Sequence, residues 1–336
     1  MAARDRVIAA RLLSWYDAGH RDLPWRRTRD PYRIWVSEVM LQQTRAQMAI
    51  PYYDRFLTRF PSVEALAAAA ESDLLAVWSG LGYYSRARNL KRAAQAIVTA
   101  GGFPREYGTI RALPGVGDYT AAAIASMAFG LPHAVLDGNV LRVVARVKND
   151  GADIGAARTR ERFRAVAQEW LDPARPGAFN QALMELGATV CLPRKPLCPQ
   201  CPLAAVCGAR QAGAEAQLPV KLRPRDPVRI QATLLLVRRG GKVLLHQRPG
   251  SAGRMAGFWE LPAPEDLPAA RVGECRGRFR HSITHYRYTF QVRMAGARSP
   301  GRGFAWFPIG RLDEIPLSTT ARKALLLLPA PGRSGT

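Results

Sequence analysis

Residues 113–139, LPGVGDYTAAAIASMAFGLPHAVLDGN, decide the fold. They hold a glycine-pivoted turn, a helix, and an acid at the start of the next helix. Gly115 and Gly117 permit positive φ and close backbone approach. The alanine-rich run 118–129 is apolar on one face and predicts a helix. The turn and the first helical turn then offer free N–H groups to an anion, with phosphate the obvious candidate. Asp137 precedes Val140, Leu141, Val143, Val144 and Val147, a further helical run. Each feature alone has an ordinary explanation: glycine turns serve packing, and an Asp before a helix is usually its N-cap. The pair in this order and spacing is more specific.

The chain has 336 residues, room for two domains or three small ones. Lysine and arginine number 49 against 26 acids, a net charge of +23 spread along the whole chain. That excess implies a polyanionic partner, most simply nucleic acid, although an arginine-rich solubility strategy gives the same total. No run approaches the roughly 20 apolar residues of a membrane span, and Arg4, Asp5, Arg6 and Arg11 argue against a secretory signal. Four of the five cysteines crowd together, which suits a reducing compartment and a metal site. The expectation is a soluble, cytoplasmic monomer without a membrane partner.

Working outward from the opening stretch, periodicity predicts helices over 8–16, 32–53 and 66–77, and again over 159–170 and 179–188. Glu38, Gln42 and Arg45 share a face of the second helix, at i, i+4 and i+7. Glu38 is embedded in WVSEVMLQQT, a largely apolar segment. Burial raises a carboxyl pKa, so Glu38 is a candidate general acid. In WSGLGYYSRARNLKRAA (78–94), Tyr83 and Tyr84 precede Arg86, Arg88, Lys91 and Arg92. Aromatics beside a basic helix suit base stacking next to phosphate contacts. Cys191, Cys198, Cys201 and Cys207 follow a C-x6-C-x2-C-x5-C pattern, and Arg194 and Lys195 within the first loop would face phosphate. Tetrahedral zinc and a 4Fe-4S cluster both use four thiolates, and spacing physics does not separate them. Cys275 lies far away and reads as an ordinary thiol.

Residues 209–227 are polar and proline-containing, and read as a linker. Beyond them, IQATLLLVRR-GG-KVLLHQRP predicts two strands joined at Gly240-Gly241. Alternation over 286–294 predicts a half-buried strand, 303–308 a short one, and 319–328 a closing helix: a small α+β domain.

LPGVGDYTA resembles the helix-hairpin-helix of endonuclease III-like DNA glycosylases, and VLDGNVLRV resembles the catalytic-aspartate segment that follows it there. SEVMLQQT, GLGYYSRARNL and the cysteine pattern match the same superfamily, the first of them its adenine-specific branch. Over about residues 5–328 the chain is identified as a member of the A/G-specific adenine DNA glycosylase (MutY) family. The resemblance implies a multidomain fold. An all-α helix-hairpin-helix glycosylase region with its iron–sulfur domain would occupy 1–208, with the hairpin at about 109–130 and the cluster loop at 191–207. A linker over 209–227 and a small α+β Nudix-like domain over 228–330 would follow. The implied cofactor is a structural 4Fe-4S cluster on Cys191, Cys198, Cys201 and Cys207.

The resemblance also implies roles. Glu38 would protonate the leaving base and Asp137 would support the sugar cation, with the Glu38 pKa raised and Asp137 ionised. Tyr119 and Asn139 would position these carboxylates or the water. Gln42, Gln43 and Thr44 would contact or wedge into the duplex, Tyr83 would intercalate, and Arg86, Gly115 and Gly117 would meet the DNA. LLHQRP…GRMAGFWELP resembles a Nudix fold, but LPAPEDLPAARVGE after Glu260 lacks the glutamate-rich Mg²⁺ box, which implies binding rather than hydrolysis. In FRHSITHY (279–286), Ile283 and Thr284 replace the family's Phe and Ser while His285 is kept, and this segment would recognise 8-oxoguanine. Endonuclease III-type relatives carry a lysine at the position of Tyr119; a phenol cannot form a Schiff base. The expected activity is therefore monofunctional excision of adenine from duplex DNA containing A:8-oxoguanine or A:G pairs. A pyrimidine-lesion glycosylase with lyase activity, a non-catalytic DNA-binding iron–sulfur protein and a Nudix hydrolase are the alternatives.

Overall fold

The computed structural model describes residues 3–222, 226–249, 255–283, 285–297 and 301–328. Its helices run α1 (Ala3–Ala18), α2 (Pro31–Leu41), α3 (Ala46–Arg59), α4 (Val63–Ala68), α5 (Glu71–Trp78), α6 (Ser85–Thr99), α7 (Tyr107–Arg111), α8 (Asp118–Phe129), α9 (Gly138–Lys148), α10 (Ala157–Trp170), α11 (Pro176–Thr189), α12 (Gly208–Gln211) and α13 (Thr319–Leu325). The strands are β1 (Val228–Arg239), β2 (Lys242–Gln247), β3 (Trp259–Glu260), β4 (Arg271–Ile283), β5 (Tyr286–Gly296) and β6 (Phe304–Pro308). Among the described residues no helix is long and apolar enough to cross a membrane.

The chain divides into two compact units, Met1–Ala68 with Asn89–Arg223, and Ala69–Arg88 with Pro224–Thr336. In the first, α1, α9, α10 and α11 enclose one core. Ile8, Leu12, Val140, Val143, Val144, Phe163, Trp170, Phe179 and Leu183 are all buried in it. The hairpin before α8 turns where Val116 N–H donates to the Leu113 carbonyl at 3.1 Å. Gly115 has φ +76, and a Cβ on it would stand 2.5 Å from the Asn89 side chain, so no other residue fits. Gly117 differs from the sequence expectation. It is extended at φ −95 and ψ 179 as the N-cap of α8, because one left-handed residue suffices to turn the hairpin. The helix ends at Gly130 in the left-handed region, where Leu131 N–H reaches the Ala125 carbonyl.

The single helix expected over 32–53 is two. Asp30 caps α2, accepting from Tyr32 N–H, and Pro31 occupies its first turn. The helix stops at Leu41, and Gln43 stands at φ 65 before α3 begins. Gln42 and Arg45 therefore do not continue the face that carries Glu38. Nor are residues 209–222 detached from the helical unit. Arg146 Nε donates to the Leu218 carbonyl at 2.9 Å, Ile154 N–H to that of Val220 at 3.0 Å, and Leu218 is buried.

The second unit is a mixed sheet in the order β3-β2-β1-β5-β4, with β6 on β2. Strand β1 runs parallel to β5, and the other pairs are antiparallel. Arg239 and Lys242 are registered partners across the Gly240-Gly241 turn, as the sequence predicts. Residues 69–88, which chain order alone would leave with the helical region, pack here. The Tyr84 ring lies 3.9 Å from that of Phe258, and Ser79 Oγ donates to the Leu317 carbonyl and accepts from Arg322. Between Glu260 and Arg271 only a short 3-10 turn, Pro264–Asp266, is present.

Candidate active site

The site is assembled at the N-terminal ends of α8 and α9 against α2. Helix α2 is buried almost all round, and Glu38 on it is 3% exposed. The Tyr119 hydroxyl, from the first turn of α8, donates to Glu38 Oε2 and also lies 3.3 Å from Met184 Sδ. Burial pushes the Glu38 carboxyl up to about 7; the Tyr119 bond opposes this and the Asp137 charge adds to it. Burial and the charges of Glu38 and Asp137 together hold the Tyr119 phenol well above its ordinary value, so it stays protonated. The Asp137 charge raises both Glu38 and Tyr119, and the Glu38 charge raises Tyr119, so the three lie within electrostatic reach of one another.

Asp137 is the N-cap of α9. Its Oδ1 accepts from Val140 N–H at 2.7 Å and its Oδ2 from Asn139 Nδ2 at 3.0 Å. Burial raises its pKa; the bonds from Val140 and Asn139 and the Arg142 guanidinium oppose the rise. The expected division of labour between the two acids is thus corrected in its cause. Both carboxyls are pushed upward, and Asp137 is set apart by donors and a helix N-terminus that favour its charged form. Arg142 holds Asn139 in turn, donating from Nη2 to Asn139 Oδ1 at 2.8 Å and to the Gly187 carbonyl at 2.7 Å, and from Nε to the Cys191 carbonyl at 2.7 Å.

Sequence reasoning missed a second carboxylate cluster, in which Glu185 is buried, Arg26 half-buried and Arg21 exposed. Glu185 accepts from Arg21 Nε at 2.8 Å and from Arg26 Nη2 at 2.7 Å. Burial alone would raise Glu185, but the two guanidiniums overcome it and hold the carboxyl at about 2. Arg26 also acts on Glu38, lowering its pKa. The partners lie 164 and 159 residues apart in sequence, so no local pattern could have announced them.

The remaining expected residues fall in several places. Gln42 Nε2 donates to Thr120 Oγ1 at 3.4 Å, which ties the end of α2 to α8. Gln43 is exposed and Thr44 half-buried in the break that follows. The first helical residue of α8 is an acid, Asp118, paired with Arg111 and with Arg164 at 3.2 Å. In the sheet-containing unit, Tyr83 is 49% exposed at φ 48. Arg86 turns inward: its Nη2 donates to the carbonyls of Leu81 and Gly82, and its guanidinium stacks on Trp78 and Tyr83. Burial lowers the Arg86 pKa to about 10. The His285 ring lies 4.0 Å from that of Tyr286, tilted by 38°, just after the end of β4, and Thr284 lies outside the described residues.

Cys191, Cys198, Cys201 and Cys207 line one cavity with Leu186, Val190 and Leu203. Burial and mutual repulsion push the thiols of Cys198 and Cys207 up and that of Cys201 up to about 11. Thiols raised in this way ionise together only around a strongly cationic centre. Arg146 supplies part of that charge, donating from Nη1 to Cys191 Sγ at 3.4 Å. Among the described residues no three His, Cys, Asp or Glu side chains converge as ligands of a single metal ion. Soft sulfur donors gathered on one cavity fit a thiolate-bound metal centre.

Two family models match the chain: HhH-GPD superfamily base excision DNA repair protein over residues 36–169, and NUDIX domain over residues 232–327. The chain is 36% identical to the adenine DNA glycosylase of Mus musculus, over 94% of this chain and 77% of that protein. It is 38% identical to that of Homo sapiens, over 84% of this chain and 65% of the relative, so it spans somewhat less than two thirds of the human protein. Among solved structures, a thermostable thymine-DNA glycosylase superposes with a TM-score of 0.56 at 30% identity, covering 62% of this chain and 97% of that one.

Proposed function

The chain belongs to the adenine DNA glycosylase family, and on that premise we propose that it excises adenine mispaired with 8-oxoguanine or guanine from duplex DNA and leaves an abasic site. The observation that carries this reading is the buried Glu38 carboxyl, hydrogen-bonded by Tyr119 and raised by the charge of the half-buried Asp137. A target base must leave the stack before its glycosidic bond can be reached. Glu38, with a pKa near 7, holds a proton at neutral pH and can pass it to the departing purine. Asp137, held by backbone and amide donors, offers negative charge to the oxocarbenium-like sugar. Tyr119 stands where a nucleophilic amine would be needed for strand cleavage; its phenol donates to Glu38 and cannot form a Schiff base.

Support for the remaining roles comes from position. The Gly115 hairpin and α8 would meet the DNA backbone, with Arg111 and Arg164 held nearby by Asp118. Gln43 and Thr44, in the exposed break after α2, would contact the duplex at the lesion, and Tyr83 would enter the stack. The four cysteines would hold a 4Fe-4S cluster, whose contribution is to cross-link this part of the helical unit. Arg142 and Arg146 fasten the cysteine loop to α9, so the loop supports the helix that Asp137 caps. The Nudix-like sheet would read the oxidised guanine at the tip of its β4–β5 hairpin, since the turn between Glu260 and Arg271 carries no helix for a Mg²⁺ box.

Single-turnover excision from an A:8-oxoguanine duplex tests the assignment. Glu38→Gln and Asp137→Asn should bind the duplex with near-native affinity and lose at least about a hundredfold in rate, the scale of general acid catalysis. Near-native turnover by either variant removes that residue from the chemistry.

A further inference from the structure

The adjacent strands β1, β5 and β4, the last at the sheet edge, have two unlike faces. On one, Phe279, Tyr288, Phe290 and Val292 form a core with Ala321 and Ala324 of α13. The other face changes character along its length. At one end Leu235 and Val237 are buried with Leu267 and Ala270. At the other end the same face carries Arg229, Arg278, Arg280 and Arg287, all exposed. Strand register puts these four side by side. Arg229 is the Cα partner of Arg287, while Arg280 faces Thr289 and Arg278 faces Gln291 on β5. Among the described residues of β1, β4 and β5 the sole acid is Glu274, which pairs with Arg276 at 3.2 Å.

Like charges directly opposite on neighbouring strands destabilise a sheet. An isolated arginine on an open face is ordinary solvated surface; a ladder of them with no counter-acid is a standing cost. A polyanion offsets it. Alternate residues on a strand are about 6.8 Å apart, close to the axial rise of two nucleotides in one strand of a duplex. Side chains of Gln231, Thr233, Thr289, Gln291 and Ser282 on the same face supply uncharged hydrogen-bonding groups among the guanidiniums.

We propose that this bare sheet face is a separate contact surface for the phosphodiester backbone of duplex DNA, distinct from the β4–β5 hairpin tip. The proposal rests on the DNA-repair reading above. It assigns the face to sequence-independent affinity, with Arg280 alone also belonging to the 279–286 segment that would recognise the oxidised base.

The test uses the full chain with Arg229, Arg278, Arg280 and Arg287 all changed to Gln. Binding to an undamaged, fully paired duplex is followed by fluorescence anisotropy across a salt series. Each lost phosphate contact lowers the slope of log K against log salt by about 0.9, so with four contacts removed the slope should fall by about 3.6. Melting temperature at low salt should rise, because the like-charge ladder is relieved. A comparison variant with Arg6, Arg11, Arg158 and Arg160 changed to Gln has the same net charge and should keep most of the slope. An unchanged slope, an equal loss in the comparison variant, or a lower melting temperature would each overturn the proposal. Base release by the unmodified protein is read in parallel. If that protein releases no adenine, the glycosylase assignment fails; if it does and the salt slopes coincide, only the sheet face is wrong.

Discussion

Replacing Glu38 with glutamine should make the protein more stable and less active at the same pH. The carboxyl is buried at 3% exposure and its pKa is raised from 4.5 to about 7. In the unfolded chain it ionises near the lower value. Between the two, the unfolded state gives up its proton while the folded state keeps it. Stability is therefore full below about pH 4.5 and declines as pH rises toward 7, reaching a loss of about 3 kcal/mol. Glutamine can accept the Tyr119 hydroxyl but has no proton to lose, so this loss disappears. For a unit of about 200 residues, 3 kcal/mol corresponds to about 7 °C in melting temperature. Calorimetry of both proteins from pH 5 to 9 reads it. The difference should be small at pH 5, grow toward pH 7 and level off at about 7 °C in favour of the variant. Groups beyond the reach of the Glu38 charge cancel in the comparison. A difference that does not change with pH, or a variant that is less stable throughout, would refute the placement of a protonated acid at this site.

Three further outcomes follow from the same geometry. Tyr119→Phe removes a bond that lowers the Glu38 pKa, so the alkaline limb of the pH–rate profile should move upward; a limb that stays in place would mean Glu38 is not the group titrating. Glu185→Gln strands Arg21 and Arg26 beside an uncharged amide and should cost about 3–5 kcal/mol by denaturant titration. In the unmodified protein the stabilisation from that carboxyl is present above pH 4.5 and disappears as pH falls through about 2, so the gap between the two proteins should close on acidification. Cys201→Ala should lower the iron content and bleach the visible absorption of the purified protein; colour and iron retained in full would exclude a cluster held by these thiols.

What could be read from the amino-acid order was local. The glycine hairpin, the alanine-rich helix and the Asp137 cap are signals within about ten residues, and the cysteine spacing is a contiguous pattern. Glu38 was readable because an acid inside WVSEVMLQQT is anomalous wherever it occurs. The helix break at Gln43 was not, since the helical period runs on through 42–53 and only tertiary contacts stop it. Gly117 was overread, because two glycines look alike until one of them takes the turn. The Glu185 cluster and the packing of 69–88 against the sheet unite residues more than 150 positions apart, which no periodicity reports. The upward shift of Asp137 depends on burial, a quantity set by all its neighbours together. The arginine face emerged only when register aligned four residues from three strands.

The central claim is that a buried carboxyl and a half-buried one release adenine without an amine nucleophile. It is tested most directly by incubating the purified protein with a duplex carrying one A:8-oxoguanine pair and following free adenine and strand breaks separately. Adenine should appear within a single turnover, and breaks at the lesion should appear only after alkali. Strand scission without alkali, or no adenine release from this duplex, would contradict the account.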